Sequence, residues 1–458
     1  MPGENLLAGL LPQLPPIPGV GAPSAVELRR VARLFSRAGF GASKTELIAW
    51  ATLGYAATVD HLLGFLPANL RLLDSPDLTF ASTRQMTGQL NEAQAWWLQT
   101  MATTTHPLEE KLTLFWHGHF ATANNKVDNI RLMLDQNRLF RDNAAGDFRK
   151  LCKLVTSDPA MLIWLDGQSN RVGGPNENYA REFMELFTLG RARFSQNDVR
   201  DAARALTGWV VNLSTNKANF VPAYHDNGVK VILGQAGNFA PADLTDIVLD
   251  RHPEGPVSSW FLATRMASFF HHPDPEPAVV SAMAQSLGAA AKGPRNVKNM
   301  LRTLFQRPEF MDGAGQTIRS PAELVAGTMR ALQLQAQAGQ LAAKMRGLGQ
   351  DLFNPPNVGG WPGGAGWANS ATALARYNFA AQAAAMARPD VVKSLVSLVT
   401  GPQEPVHASM DALGILELSS QTRGAIEKYV ASAQGDGSDK VTRGILTLLI
   451  ASPEYNLR

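Results

Sequence analysis

Apolar residues recur at helical spacing along most of the chain. In residues 90–101 and 108–116 they return every three or four positions, which places them on one face of a helix. Between residues 209 and 233 the pattern changes to short β-prone runs separated by Asn and Gly turns. The sequence therefore predicts a mainly α fold: a large multi-helix domain with a small β-hairpin or flap insertion near residues 209–233.

The first 24 residues differ from the rest of the chain. Residues 1–24 are rich in proline and glycine and predict an extended lead-in, whereas residues 25–458 predict a single large helical domain. The start of the chain has Glu4 where a signal peptide has basic residues, so it does not resemble an intact signal peptide. No run approaches the ~18 apolar residues of a membrane-spanning helix, and we expect no membrane segment.

Composition narrows the function classes. Hydrophobic residues make up 45% of the 458, which is typical of a folded protein, and charged residues make up 18%, which is on the low side and indicates a large interior. The net charge of +3 and the absence of long Lys/Arg runs argue against nucleic-acid binding. Cys152 is the only cysteine, which excludes an intramolecular disulfide and a cysteine-based zinc site. Its apolar neighbours predict a buried core thiol.

One predicted helix concentrates carboxylates in a chain that is otherwise sparing with charge. Asn176 is its predicted N-cap and Gly190 its terminator. A polar arc on this helix carries, in order, Glu177, Asn178, Arg181, Glu182 and Glu185. Two interpretations stay open: a solvated face with Glu–Arg pairs at i,i+4, or an acid/base site. Glu182 borders the apolar face, so we expect it to be partly buried.

A second segment carries His117 and His119 on either side of Gly118. The two imidazoles lie on the same side only in an extended backbone, since in a helix they point about 200° apart. Gly118 makes a break in the helix plausible at this point, and the pair then converges on a metal ion or a substrate. Histidines buried in a helical core are the alternative interpretation.

Three further positions lie where a ligand can be contacted. Asp166 follows an apolar run and either lines a cleft or closes a helix, and Trp209 opens the predicted flap. Residues 354–367 form a long glycine-rich loop in which Asn357 and Trp361 suit hydrogen bonding to hydroxyls and stacking on sugar rings. Trp361 can equally be a plug that seals the loop. The candidate site segments are residues 106–122, 157–190, 195–233 and 354–367.

These segments resemble a known family. The motifs that carry the resemblance to the bacterial family called domain of unknown function 1800 are FWHGHFAT at 115–122, DPAML at 158–162, NENYARE at 176–182, ELFTLG at 185–190, ARALTGW at 203–209, RAGFG at 37–41 and NPPNVGGW at 354–361. The resemblance spans nearly the whole chain.

The resemblance implies a bacterial protein, often exported and often encoded beside a sulfatase-like partner protein, without a settled activity. It therefore implies an exported or periplasmic location as one possibility and leaves the location undetermined. Two features depart from the family: Gly118 stands where many relatives have Asn, and the leader of exported members is not seen.

The leading hypothesis is a hydrolase that acts on a carbohydrate polymer, without a cofactor. Glu177 and Glu182 are the predicted catalytic carboxylates, one protonating the glycosidic oxygen and the other acting as base or nucleophile. The predicted substrate-binding residues are His117, His119, Asp166, Asn178, Arg181, Trp209, Asn357 and Trp361. The expected partner is a poly- or oligosaccharide.

Two alternatives come from other classes. In the first, His117, His119 and Glu182 hold one divalent metal ion that activates water. In the second, the chain is a non-catalytic binding or assembly protein that works with an exported partner, and its polar helix face is an interface or a buried network.

Overall fold

The computed structural model describes residues 22–65, 86–288, 293–313, 316–397 and 404–458. Most of the predicted lead-in, residues 1–21, lies outside this part of the chain. Helices dominate the described residues, and the strands form two small antiparallel hairpins. The mainly α prediction is therefore confirmed.

The described residues of the first part of the chain, up to residue 205, form eleven helices. In chain order they are α1 (Ala25–Ala38), α2 (Lys44–Leu53), α3 (Tyr55–Leu63), α4 (Met86–Thr103), α5 (Pro107–His119), α6 (Asn124–Val127), α7 (Ile130–Asp142), α8 (Phe148–Val155), α9 (Pro159–Trp164), α10 (Glu177–Glu182) and α11 (Gln196–Ala205). A 3₁₀ turn at Gly167–Ser169 follows α9, and a π-helical segment at Phe183–Thr188 continues α10.

The second part begins with the hairpins. The strands are β1 (Trp209–Asn212), β2 (Lys217–Phe220), β3 (Lys230–Ile232) and β4 (Gln235–Gly237). The helices that follow are α12 (Pro241–Asp250), α13 (Val257–Phe270), α14 (Pro277–Ser286), α15 (Val297–Phe305), α16 (Pro308–Asp312), α17 (Pro321–Leu332), α18 (Ala338–Gly347), α19 (Ser370–Met386), α20 (Pro389–Ser397), α21 (Glu404–Leu413), α22 (Ser420–Ser432), α23 (Ser438–Ala451) and α24 (Pro453–Asn456). Further 3₁₀ turns lie at Pro222–Tyr224, Gln335–Gln337 and Gly364–Trp367.

The strands occur where the helical pattern lapses. β1 pairs with β2, Trp209 opposite Phe220, and β3 pairs with β4, Lys230 opposite Gly237. The predicted insertion near residues 209–233 is thus two consecutive hairpins, the second of which extends four residues beyond the predicted end.

Side-chain caps define several helix starts. Asn176 accepts a hydrogen bond from the backbone N–H of Asn178, and Asp158 caps α9 in the same manner through Met161. Ser195 and Asp198 form a capping box at α11. The cap at Asn176 is the predicted one, and together the three caps fix where α9, α10 and α11 begin.

Helix α5 lies between the two apolar clusters of the protein. Leu112 and Phe115 pack into the cluster formed by α1–α3 and α8–α16, whereas Leu114 packs into the cluster of α4, α7 and α17–α24. Nearly every residue from Leu108 to His119 is buried, including polar ones. A helix buried on all sides must pair its polar groups internally, and this requirement shapes the site described next. None of the helices in the described ranges is long and apolar enough to cross a bilayer.

Candidate functional site

The His-Gly-His segment is helical, so the expected break at Gly118 is wrong. α5 continues through Gly118 to His119, and Phe120 follows as its C-cap. Both flanks of the segment are packed against other helices, and this packing outweighs the weak helix propensity of one glycine. The two imidazoles consequently contact different sets of aromatic rings.

His117 is a buried aromatic-core residue. Its ring centroid lies 5.5 Å from that of Trp97, 5.6 Å from Phe353 and 5.3 Å from Trp361. Neither ring nitrogen has a hydrogen-bond partner among the described residues. Burial lowers the pKa of His117 to about 3, which keeps the ring neutral.

His119 joins α5 to the segment that continues α10. Its Nε2 lies 2.9 Å from the carbonyl oxygen of Phe187, to which it donates a hydrogen bond in the matching tautomer. Burial, reinforced by the charge of Arg265, lowers the pKa of His119 to about 3 against the opposing effect of this hydrogen bond. The two predicted segments are therefore adjacent, but they meet through Phe187 and not through the carboxylates.

The acidic pKa values of both histidines lead to a prediction about acid stability. An unfolded histidine titrates near pH 6.5, so between pH 6.5 and 3 the unfolded state binds more protons and stability falls as the pH falls. Between pH 7 and pH 5 each histidine should cost about 2 kcal/mol. In His117→Phe the loss over this range should be smaller by about 2 kcal/mol, as measured by urea unfolding at both pH values. An unchanged pH dependence in this variant would contradict the buried neutral state of His117.

The carboxylates of α10 and of the π-helical segment lie near the surface, and most of them form hydrogen bonds or ion pairs. The Oε2 atom of Glu177 accepts hydrogen bonds from Arg181 (3.3 Å) and from Gln196 on α11 (2.6 Å). Glu185 pairs with Arg191 at 3.0 Å and not with Arg181. Glu177 and Arg181 thus connect α10 to α11, as the surface-pair interpretation expects.

Glu182 differs from these neighbours. It is half-buried, as expected from its position beside the apolar face, and it forms no ion pair with a described residue. Burial raises the pKa of Glu182, the nearby charge of Glu185 raises it further, and Arg181 and Arg191 oppose both effects. Among the carboxylates of this helix it has the properties expected of a proton donor.

Asp166 and Asn178 come together beside α10. Asp166 has a left-handed backbone (φ 58°), and its Oδ2 accepts a hydrogen bond from Lys126 at 3.0 Å. The Asn178 amide lies 3.5 Å from the same oxygen and 3.3 Å from the carbonyl of Leu165. These contacts hold the 3₁₀ turn against α10.

Trp209 and Asn357 lie apart from this group. Trp209 packs against Phe220 across the first hairpin, with ring centroids 5.5 Å apart. Asn357 is exposed and accepts a hydrogen bond from the backbone N–H of Gly359 at 2.8 Å, which stabilises a turn of the glycine-rich loop.

A cavity of about 150 Å³ lies where this loop crosses α5. Its walls are formed by Leu114, Phe115, Gly118, His119, Arg265, Ser268, Phe269, Pro273, Thr317, Ile318, Ser320, Glu323, Gln350, Trp361, Pro362, Gly363, Gly364, Trp367 and Arg458. His119 and Trp361 are the two predicted site residues in this wall, and His117 lies directly behind Trp361.

Gly360 allows the loop to approach α5 this closely. Gly360 has a positive φ of 87°, and a Cβ atom there would lie 2.1 Å from the carbonyl oxygen of Gly118. Only glycine fits such a contact. A Cβ on Gly118 would instead meet the Trp361 ring at an ordinary 3.6 Å. The close approach at Gly360 sets Trp361 over the end of α5.

A buried charge cluster supports the floor of the cavity. Glu323 on α17 pairs with Lys111 of α5 and with Arg458, whose Nη2 lies 3.2 Å from Oε1 of Glu323. Burial alone would raise the pKa of Glu323, but the two cations outweigh it and lower the pKa to about 2. Glu323 is therefore ionised and cannot serve as a proton donor to a ligand.

Sequence reasoning missed most of this wall. Arg265, Glu323 and Arg458 come from distant parts of the chain, and Glu323 was recognisable only as the partner of Ser320 in a capping box. One signal was available: Arg265 is the only charged residue of α13. A single charge in an otherwise uncharged helix favours a specific role for its side chain.

Within the described ranges, no group of three or more His, Cys, Asp or Glu side chains is placed to hold a metal ion. The set His117, His119 and Glu182 is not gathered at one point, because the imidazoles diverge from a continuous helix and neither Glu177 nor Glu182 lines the cavity.

Fold and site together define a mainly α-helical protein with a small aromatic-walled cavity closed by a glycine-rich loop. The chain belongs to the DUF1800 family, described as proteins of unknown function, whose sequence model matches residues 33–457. No curated protein and no solved structure matches the chain. Two of the motifs that carried the resemblance, at 115–122 and 354–361, meet at the cavity.

Proposed function

We propose that this protein acts on a carbohydrate and that the cavity binds one sugar ring of it. The observation that carries the proposal is the composition of the wall. The rings of Trp361, Trp367 and Phe269 lie beside short polar side chains such as Ser268 and Thr317. Aromatic faces suit the apolar faces of a sugar, and hydroxyl and amide groups suit its hydroxyls.

The polar groups of the wall have capacity left for a ligand. The hydroxyl of Thr317, the indole N–H of Trp361 and Nδ1 of His119 are buried without a hydrogen-bond partner among the described residues. Gln350 uses its carbonyl oxygen to accept from the backbone N–H of Ala322 at 2.9 Å, and this orients its amide group. Buried polar atoms are normally paired, so several unpaired ones around one cavity favour a polar ligand.

The size of the cavity limits the ligand. A cavity of about 150 Å³ accepts a benzene-sized ring, so it can enclose the ring of at most one sugar unit and not a run of the polymer. The proposed site therefore recognises a chain end or a side branch of the carbohydrate.

Replacing Trp361 tests sugar binding. Trp361→Ala should weaken the affinity for a bound methyl glycoside by about 10-fold, since a lost stacking contact costs on the order of 1 kcal/mol or more. Trp361→Phe, which keeps a ring, should lose less. Binding is measured by calorimetric titration with a panel of methyl glycosides, and a thermal melt checks that each variant is folded.

The matched control is Trp260→Ala. Trp260 is exposed on α13 and does not line the cavity, so its replacement should leave the affinity unchanged. If no glycoside of the panel binds the wild-type protein, or if Trp361→Ala binds as well as wild type, the proposed function is wrong.

Hydrolysis of the carbohydrate is a second, more specific proposal, and it places the chemistry at the surface of α10, outside the cavity, because neither Glu177 nor Glu182 lines the cavity wall. The observation that favours it is the half-buried Glu182, whose pKa is raised while the neighbouring Glu185 is held in an ion pair with Arg191. Glycoside hydrolysis uses one carboxyl group of raised pKa as its acid together with a second carboxylate. The second role stays with Glu177, the other predicted catalytic carboxylate, which accepts hydrogen bonds from Arg181 and Gln196.

A further inference from the structure

We infer that Arg265 makes the cavity selective for a sugar that carries an anionic group, and this inference rests on the proposed function. Arg265 lies on α13, and Ser268 and Phe269 follow it by three and four residues. Residues at this spacing share one face of a helix, and all three line the cavity.

The guanidinium of Arg265 has no partner of its own. It forms no hydrogen bond or ion pair with a described residue, whereas arginines such as Arg141, Arg149 and Arg204 are each bound to carboxylates. The side chain is solvent-accessible but has protein around it, and this desolvation lowers the pKa of Arg265 without a nearby carboxylate to oppose it. An arginine remains charged even when it is partly desolvated, so the charge of Arg265 is available to pair with an anion.

The surroundings add to the positive charge. Glu323 is the single carboxylate of the cavity wall, and Lys111 and Arg458 bind it. With Arg265 included, two guanidinium groups and Lys111, whose burial lowers its pKa to about 7, stand against one carboxylate side chain, and His119 contributes no charge because its pKa is depressed. A recess lined by excess charge of one sign concentrates ligands of the other sign.

The geometry indicates where the anionic group lies. A sugar ring held against Trp361 would direct one substituent toward α13, where the planar fork of Arg265 can bind two oxygens of a carboxylate or phosphate at once. A neutral sugar would leave this guanidinium without a partner. The expected ligand is therefore a monosaccharide unit that carries an anionic substituent.

The test compares D-glucuronate, D-glucose 6-phosphate, D-glucose and inorganic phosphate by calorimetric titration at low salt. We expect an anionic sugar to bind at least 10-fold more tightly than glucose. Arg265→Met should abolish this difference, and Arg265→Lys should retain part of it. Arg200→Met is the matched control, because Arg200 is exposed on α11 and does not line the cavity wall. This variant should prefer anionic sugars over glucose as strongly as the wild-type protein does.

The outcomes separate this inference from the function on which it rests. Equal binding of glucose and both anionic sugars overturns the role of Arg265 and leaves sugar recognition intact. Binding of inorganic phosphate that Arg265→Met abolishes, without binding of any sugar, supports the anion site and contradicts the proposed function. A preference for anionic sugars that persists in Arg265→Met overturns the inference. The glucuronate and glucose 6-phosphate arms show which anionic group is preferred.

Discussion

Glu323→Gln is expected to lower the free energy of unfolding by about 3–5 kcal/mol, the usual cost of removing one partner of a buried ion pair. Glu323 is almost fully buried, and Lys111 has no exposed surface at all. The amide has nearly the shape of the carboxylate and can still accept the hydrogen bond from the backbone N–H of Ser320. The variant therefore keeps the cap of α17 and removes only the charge that Lys111 and Arg458 require.

The measurement is urea unfolding at pH 7, with Asp390→Asn as the matched control. Asp390 also pairs with an arginine, Arg388, but both side chains are exposed, and we expect its loss to leave the free energy of unfolding nearly unchanged. The double variant Lys111→Met with Glu323→Gln should recover part of the loss, because it no longer buries an unpaired lysine. A Glu323→Gln cost below 1 kcal/mol would falsify the buried pair.

Local signals predicted the starts of several helices. Asn176 caps its helix as predicted, and Asp158 and Ser195 cap theirs in the same manner, because a capping hydrogen bond spans only two or three residues. The same signals could not show that the end of the α10 helix is π-helical. In the π-helical segment from Phe183 to Thr188, each backbone hydrogen bond spans one residue more than in an α-helix. The packing of the buried rings around this segment, and not the local sequence, determines its conformation.

The interpretation of Gly118 shows where local reasoning fails. Glycine weakens an isolated helix, and this suggested a break between His117 and His119. In the folded protein α5 is enclosed by other helices, and the backbone of Gly360 lies directly on the carbonyl of Gly118. The approach of another segment, which the local sequence does not reveal, explains the conformation at this position.

The cavity was beyond prediction for a related reason. Its wall takes Trp361 from a loop, Arg265 from α13 and Glu323 from α17, and no short motif links these positions. The sequence indicated that residues 115–122 and 354–361 were special. It did not show that they meet each other, since one sequence carries no information on which distant helices pack together.

Glu182→Gln is expected to reduce glycoside hydrolysis by ~10²–10⁴-fold, the loss typical of a missing general acid, with an unchanged melting temperature. Glu182 is half-buried and forms no ion pair with a described residue, so the amide would leave no buried cation unpaired. Turnover is measured with a panel of 4-methylumbelliferyl glycosides. Glu254→Gln, an exposed carboxylate paired with Arg193, should retain full activity.

The pH profile of a second variant separates catalysis from scaffolding. The charge of Glu185 helps to raise the pKa of Glu182, so Glu185→Gln should lower that pKa. A general acid acts in its protonated form, and the alkaline limb of the activity profile should therefore move to lower pH. Glu182 is not catalytic if Glu182→Gln melts early or keeps full activity, or if the limb does not move in Glu185→Gln. Hydrolysis itself is refuted if the wild-type protein turns over no glycoside, because the raised pKa of Glu182 then reflects its burial and the charge of Glu185 without a catalytic role.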